Sequence, residues 1–188
     1  MEDSESLGEP PVFPGDEKIY EWDVAEIGDE SPPYIYEVTA EKIADYCRAV
    51  RYENPVYVND AAAREIGFPG VFAPPTMFYT YAPQRRHDVM SARGYIAPEQ
   101  SRNNPRSTPF VSTDVRFQGV MVRPGDVITS TTRVVDKFQR RGNKFVTFRV
   151  TAHNQRNEEV AEYDYVCLWE TQTRKSPQER PTTGSPSQ

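Results

Sequence analysis

From residue 111 to residue 169 the chain alternates. Val111, Thr113, Val115 and Phe117 recur at every second position between mostly polar neighbours, the period of a half-buried strand. Arg123-Pro124-Gly125-Asp126 then reads as a turn, and Val127, Thr129, Thr131 and Arg133 to Val135 start the alternation again. Arg140-Arg141-Gly142-Asn143 is a tight turn, across which Phe145 to Val150 pairs back. A third turn at Asn154 to Glu158 leads into a last strand, Val160 to Trp169. Strands joined by such turns argue for an antiparallel meander. It has one buried face, so something apolar must cover it.

The first half supplies that cover. Tyr34 to Val38 is a short strand. Thr39 caps the helix that follows, with Glu41 in its first turn, where the helix dipole favours an acid. Ile43, Cys47 and Val50 are spaced to give that helix one apolar face. It must end before Asn54-Pro55, because a residue before proline avoids helical geometry. Asp60 is expected to cap a second short helix, Ala61 to Ile66, which Gly67 stops. After a Pro/Gly-rich stretch, Phe68 to Pro75, the segment Thr76 to Tyr81 reads as the start of a central buried helix, kinked or ended near Pro83. Residues 94–109 form a long polar loop, of a length that is usually functional or mobile. Helices first and a meander after argue for an α+β domain, one antiparallel sheet wrapped around a central helix.

Charge divides the 188-residue chain. Its net charge is −6, yet residues 1–30 alone hold eleven acids against one base, Lys18. Residues 84–149 hold thirteen bases against five acids, so the acidity belongs to the head and not to the body. The expected organisation is an acidic flexible head over 1–16, a domain over 17–171, and a Ser/Pro-rich disordered tail over 172–188. The start, Met1 to Ser6, has neither a basic nor an apolar leader region, and no apolar run reaches the roughly 18 residues of a membrane span. A cytoplasmic protein without a membrane partner is expected, with Cys47 and Cys167 as buried reduced thiols.

Three segments resemble the MaoC-like branch of the hot-dog fold. They are Tyr36 to Tyr46 leading to Glu53-Asn54-Pro55-Val56-Tyr57, the approach Gly67 to Thr76, and the turn Arg123-Pro124-Gly125-Asp126. The likeness covers about residues 20–170 and is nearest to the N-terminal, HadA-type half of the (3R)-hydroxyacyl dehydratases. It implies a hot-dog sheet around a central helix, paired side by side with a second hot dog. In catalytic members an Asp-x-Asn-Pro-x-His loop grips the water that adds to an enoyl thioester, and a backbone N–H at the start of the central helix polarises the carbonyl.

This chain keeps the frame and changes the working groups. Tyr52 stands at the Asp position and Tyr57 at the His position, while Asn54 and Pro55 match. The oxyanion position falls at Pro75, which has no N–H. A phenol titrating near 10 is a poor base at neutral pH. By resemblance no catalytic residue is assigned, and Asn54, Pro55, Tyr57, Ala73, Pro75 and Thr76 are the expected substrate-binding positions. Tyr52 and Tyr57 either fill the space of the lost pair or hydrogen-bond within an acyl tunnel. Glu53 could substitute as a carboxylate, against its ordinary reading as solvated. His87 and His153 read as surface residues and as no metal site. Phe78, Tyr79 and Tyr81 read as helix core. Arg140, Arg141 and Lys144 read as a solvated hairpin tip, or as a contact for a phosphate or an acidic carrier.

The resemblance therefore implies a subunit of an enoyl-thioester hydratase or (3R)-hydroxyacyl-thioester dehydratase. It would supply acyl binding and structure while a partner bearing the Asp/His pair does the chemistry. The partners implied are an acyl-CoA or acyl-carrier-protein thioester and a second hot-dog subunit, in a hetero- or homodimer. The alternatives are a self-sufficient homodimer using Tyr57 or Glu53, and a non-enzymatic acyl-CoA-binding module. No cofactor is expected, for the glycines form no phosphate loop. Nucleic acid is not expected, because aromatic residues do not pattern with the bases.

Overall fold

Thr39 begins the first helix by accepting a hydrogen bond from the Lys42 N–H at 3.1 Å. The computed structural model describes residues 17–171; the expected head and tail, 1–16 and 172–188, lie outside the described residues. Its strands are β1 (Tyr34–Glu37), β2 (Phe110–Arg116), β3 (Val127–Arg140), β4 (Asn143–His153) and β5 (Glu159–Glu170). Its helices are α1 (Ala40–Ala49), α2 (Asp60–Glu65), α3 (Phe78–Tyr81) and α4 (Arg86–Ala92). The strands form one antiparallel sheet in the order β1-β3-β4-β5-β2, so the expected meander holds for β3 to β5 while β2 crosses over to pair with β5 and not with β3. The β3–β4 turn is the two-residue Arg141-Gly142, both at positive φ (52° and 77°), between the paired Arg140 and Asn143. That twist matches the strands it joins.

The alternation sorts the two faces. Val146, Phe148, Val150 and Ala152 of β4, and Tyr163, Tyr165, Cys167 and Trp169 of β5, are buried against the helices. On the opposite face Arg149 is bidentate to Asp164 at 2.6 and 2.8 Å, and Arg116 meets Glu162 at 2.6 Å. Those pairs hold Asp164 below its ordinary carboxyl range: the Arg149 hydrogen bond outweighs burial. This face is laced with charge and is not a hydrophobic surface. β2 differs from the other long strands, with every residue but Val115 exposed. It is an edge strand with no neighbour beyond it.

The central helix breaks near Pro83, as its sequence predicts, and its first part is short. A 3₁₀ turn, Pro75–Met77, runs into the four-residue α3, and the chain breaks at Ala82-Pro83 before α4. Pro83 has no N–H to give to the Tyr79 carbonyl four residues back, and past the last turn of α3 the Ala82 carbonyl accepts from the Tyr163 hydroxyl at 2.6 Å. Met77, Phe78, Tyr81, Val89 and Met90 fill the core, but Tyr79 is 41% exposed. Val50 is also corrected. It follows the last turn of α1 and is exposed, so only Ile43 and Cys47 make that buried face. The cap of α2 is Asn59, whose side chain accepts from Ala61 and Ala62 N–H at 2.8 and 3.2 Å. Asp60 is the first helical residue and bonds elsewhere.

The acids of residues 17–30 belong to the folded body. Tyr20 N–H donates to Ile96 O at 2.9 Å, and Ser31 N–H donates to Thr132 O at 2.8 Å. Arg106 pairs with Glu21, Arg93 with Glu26 and Asp29, Arg133 with Glu30, and Lys144 with Asp23. The acidic stretch thus straps the basic one. It also fixes the long 94–109 segment: Glu17 accepts from Ser101 Oγ and from Arg102 N–H, each at 2.9 Å. Ser101 and Thr108 are buried, so the segment is anchored and is not a free loop.

Candidate functional site

The site grows from the end of α1. Arg51 takes a positive φ of 56°, and Tyr52 N–H donates back to Cys47 O at 2.7 Å. The reversal delivers Asn54, whose side-chain Oδ1 accepts from Val56 N–H at 3.2 Å and opens the 3₁₀ turn Pro55–Tyr57. Asn54 and Pro55 are exposed and act here as cap and first turn residue. The turn rotates Val56 and Tyr57 inward.

Tyr57 is buried between two rings, with centroids 5.2 Å from Tyr52 and 5.0 Å from Phe72. Burial raises its phenol above the usual 10, and the neighbouring Tyr52 adds to the effect. Such a group stays protonated at neutral pH and cannot act as a base. Tyr52 is 46% exposed, and Glu53 is exposed beside it.

Phe72 continues the ring stack to Phe68 at 4.5 Å and turns its other side to a cavity of about 240 Å³. Ala73 and Pro75 line this cavity with Tyr81, Phe117, Met121 and Val122. Ala73 N–H donates to Val122 O at 2.8 Å, which pins the approach segment to the chain entering β3. Tyr81 is the one titratable group in the lining, and burial pushes it up. The cavity therefore offers apolar walls and no acid or base. Of the expected binding positions the structure brings Ala73 and Pro75 to the cavity. Tyr57 reaches it only through Phe72, and Thr76, Asn54 and Pro55 are exposed and not in its lining.

Two other residues sit differently from expectation. His87 is not simply solvated: its Nε2 lies 2.8 Å from Glu99 Oε1, at a second cleft. Lys144 is no free hairpin base, since it pairs with Glu170 at 2.8 Å and lies over the Trp22 ring. His153 is part-exposed, 4.0 Å from Glu159. Cys47 and Cys167 are buried and free. Among the described residues no cluster of His, Cys, Asp and Glu is placed to hold a metal ion, and no helix is long and apolar enough to cross a membrane. The His87–Glu99 pair was missed because its members are twelve residues apart on different elements.

The antiparallel sheet around a central helical segment is the hot-dog fold, in its MaoC-like dehydratase form. A monoamine oxidase regulatory protein from Archaeoglobus fulgius superposes with a TM-score of 0.65 at 20% identity, covering 81% of this chain and 95% of that one. The ChsH1-ChsH2 complex of Mycobacterium tuberculosis gives 0.58 at 21%, covering 81% and 90%. The HadBC (3R-hydroxyacyl-ACP dehydratase) complex of the same organism gives 0.55 at 21%, covering 77% and 98%. The chain belongs to the FAS1-like dehydratase domain family, whose model matches residues 25–163. A UPF0336 protein of Streptomyces avermitilis is 31% identical over 136 residues, 71% of this chain and 85% of that protein. One from Saccharopolyspora erythraea is 31% identical over 124 residues, 65% and 75%.

Proposed function

We propose that this chain is the acyl-binding subunit of an enoyl-thioester hydratase or (3R)-hydroxyacyl-thioester dehydratase, working with a second hot-dog subunit that carries the acid–base pair. One observation carries this reading. The cavity at the start of the central helix has the apolar walls an acyl chain would need, and its lining has no group able to take a proton at neutral pH. The neighbouring loop presents two phenols where such a pair would stand, and burial keeps Tyr57 protonated.

The edge of the sheet supports the second half of the reading. β2 is unpaired along one side, with Phe110, Val111 and Phe117 about half exposed and Tyr79 beside them. Edges of this kind are closed by pairing or blunted by charge. Two of the similar structures are complexes of two different chains, which fits a hetero-pair. The substrate would be a thioester of CoA or of an acyl carrier protein.

The test is hydration of crotonyl-CoA by the purified chain, alone and after co-expression with a hot-dog subunit bearing Asp-x-Asn-Pro-x-His. Turnover is expected from the pair alone. A lone chain as fast as the pair overturns the reading, and acyl-CoA binding without turnover in every pairing replaces it with an acyl-binding module.

A further inference from the structure

The cavity beside the central helix is lined by one polar side chain, that of Tyr81. Tyr81 is 3% exposed, and burial keeps its phenol protonated. A buried hydroxyl normally has a partner. Those of Tyr20 and Tyr163 do: the first donates to Asp29 and the second to Ala82 O. The Tyr81 hydroxyl bonds to none of the described residues. Nor is it sealed in, for among the described residues the one sealed side-chain polar atom without a partner is the Tyr165 hydroxyl. The Tyr81 hydroxyl therefore touches open space, and the space that Tyr81 lines is this cavity.

The lining has an outer and an inner side. Pro75, Phe117 and Gly119 are exposed and mark the mouth, whereas Val122 and Val160 are buried with Tyr81. A thioester must leave its CoA or carrier arm in solvent, so its carbonyl stays at the mouth. What reaches Tyr81 is the far end of the acyl chain. The volume, about 240 Å³, lies below the roughly 300–1,000 Å³ of pockets for drug-sized ligands, so that chain is short. Water is poorly held opposite the phenol, because a buried water typically needs about three polar partners and the lining side chains supply one. An ionised group is excluded, since no side chain of the lining compensates its charge. A neutral oxygen fits, as acceptor of the phenol O–H.

We propose that Tyr81 is a specificity-determining residue: it donates a hydrogen bond to a neutral oxygen, of a ketone or hydroxyl, near the far end of a short acyl chain, so that the preferred thioester is oxygenated and not a plain fatty acyl group. The inference rests on the acyl-binding function proposed above and narrows its substrate. The physical basis is an asymmetry. A hydrocarbon chain that fills the cavity strips water from the phenol and leaves it unpaired, a cost the oxygenated chain does not meet. A site built around a hydrogen bond rejects the ligand that lacks it more strongly than an apolar wall rejects a change of size.

The test is equilibrium binding, by calorimetry, of saturated acyl-CoAs to the full chain in complex with the dyad-bearing subunit. The probes are 4-oxopentanoyl-, 5-oxohexanoyl- and 6-oxoheptanoyl-CoA, each against the isostere in which a methyl branch replaces the ketone: 4-methylpentanoyl-, 5-methylhexanoyl- and 6-methylheptanoyl-CoA. At one length or more the ketone is expected to bind tighter than its isostere by about tenfold or more. Tyr81→Phe, which keeps the ring, should remove that preference and leave the isosteres bound as well or better. The infrared band of a ¹³C-labelled ketone should move to lower frequency on binding to wild type and not to Tyr81→Phe. A ketone preference absent at all three lengths, or one that survives Tyr81→Phe, overturns the inference. Should Tyr81→Phe fail to fold, the wild-type preference and band shift decide. Binding of both series without preference, in a complex that hydrates crotonyl-CoA, overturns this inference alone. A complex that binds no acyl-CoA and has no activity overturns the proposed function with it, so the two failures are distinguishable.

Discussion

Asp60 Oδ1 accepts a hydrogen bond from Val71 N–H at 2.8 Å and so ties the start of α2 to the chain that enters the central helix. Phe72 and Ala73, the next two residues, line the cavity of about 240 Å³. The contact is close enough that a Cβ built on Gly70 would sit 2.9 Å from the same oxygen. Gly70→Ala must therefore push the carboxylate off Val71. The expected loss is about 1 kcal/mol, the net worth of one hydrogen bond, read as a fall in Tm of about 2–4 °C for a chain of this size. Asp60→Ala should cost a similar amount, and the double variant no more than either alone. Additive losses would show that the two residues do not share this contact.

Asp29 joins the strap to the core. It is 8% exposed, accepts from the Tyr20 hydroxyl and from Glu26 N–H, and pairs with Arg93. Burial opposes its ionisation, but the hydrogen bonds from Tyr20 and Glu26 and the Arg93 pair bring its pKa below 3.8. Because the folded value is depressed, its contribution to stability is present above the unfolded pKa near 4 and is lost as pH falls through the folded value. Asp29→Asn is expected to cost about 1–3 kcal/mol at pH 7, the penalty of disturbing buried hydrogen bonds. The gap from wild type should narrow below pH 4 in urea melts, and a gap constant down to pH 2 would contradict the assignment.

Tyr165 is the opposite case. Its ring stacks on Phe148 at 5.2 Å, but its hydroxyl is buried with no hydrogen-bond partner, alone in this among the described residues. Burial drives its pKa up. Tyr165→Phe removes an unsatisfied polar atom and keeps the packing, so stability should hold or rise by about 1 kcal/mol. A loss of stability in thermal melts would mean that the hydroxyl finds a partner in solution.

The free edge makes a prediction about assembly. Val111 is 52% exposed on β2, where a lysine costs the folded chain little and opposes strand addition. Val111→Lys should leave the circular dichroism spectrum and Tm of the chain nearly unchanged. It should also weaken association with a hot-dog partner, or with a second copy, at least tenfold in sedimentation equilibrium. Unchanged association would place the interface elsewhere.

Cavity size should set chain-length preference. Val120 lines the cavity proposed to take the acyl chain and is only partly buried, so a larger side chain there can be accommodated by the backbone. Val120→Phe in the active complex should lower kcat/KM for octenoyl-CoA at least tenfold relative to crotonyl-CoA, about 1.4 kcal/mol of lost acyl burial. An unchanged ratio would separate this cavity from the acyl path.

Much of the fold was legible because it rests on local rules. The Thr39 cap, the Arg141-Gly142 turn and the inward residues of β4 and β5 follow from a few neighbouring positions. The errors were also local. Asn59 and Asp60 are adjacent residues of equal capping ability, and only the long-range bond from Val71 assigns Asp60 its other role. The run Thr76 to Tyr81 ends near Pro83 as its sequence predicts, but apolar content does not reveal that Tyr79 turns outward or that the Ala82 carbonyl finds Tyr163 as its donor.

The sequence by itself determined the α+β class, the β3-β4-β5 meander and the family frame, since each is a matter of spacing or residue identity, while the pairing of β2 with β5 rather than β3 came from the fold. Tertiary structure alone decided that residues 17–30 strap the body, through pairs such as Asp29 with Arg93, sixty-four positions apart. It also decided that His87 meets Glu99 in a cleft and that β2 is the exposed edge between two cavities. The reason is physical. Hydrogen bonds and turn angles act over a few residues and leave a pattern in the chain, whereas charges and cavity walls assemble from segments that only the closed sheet brings together.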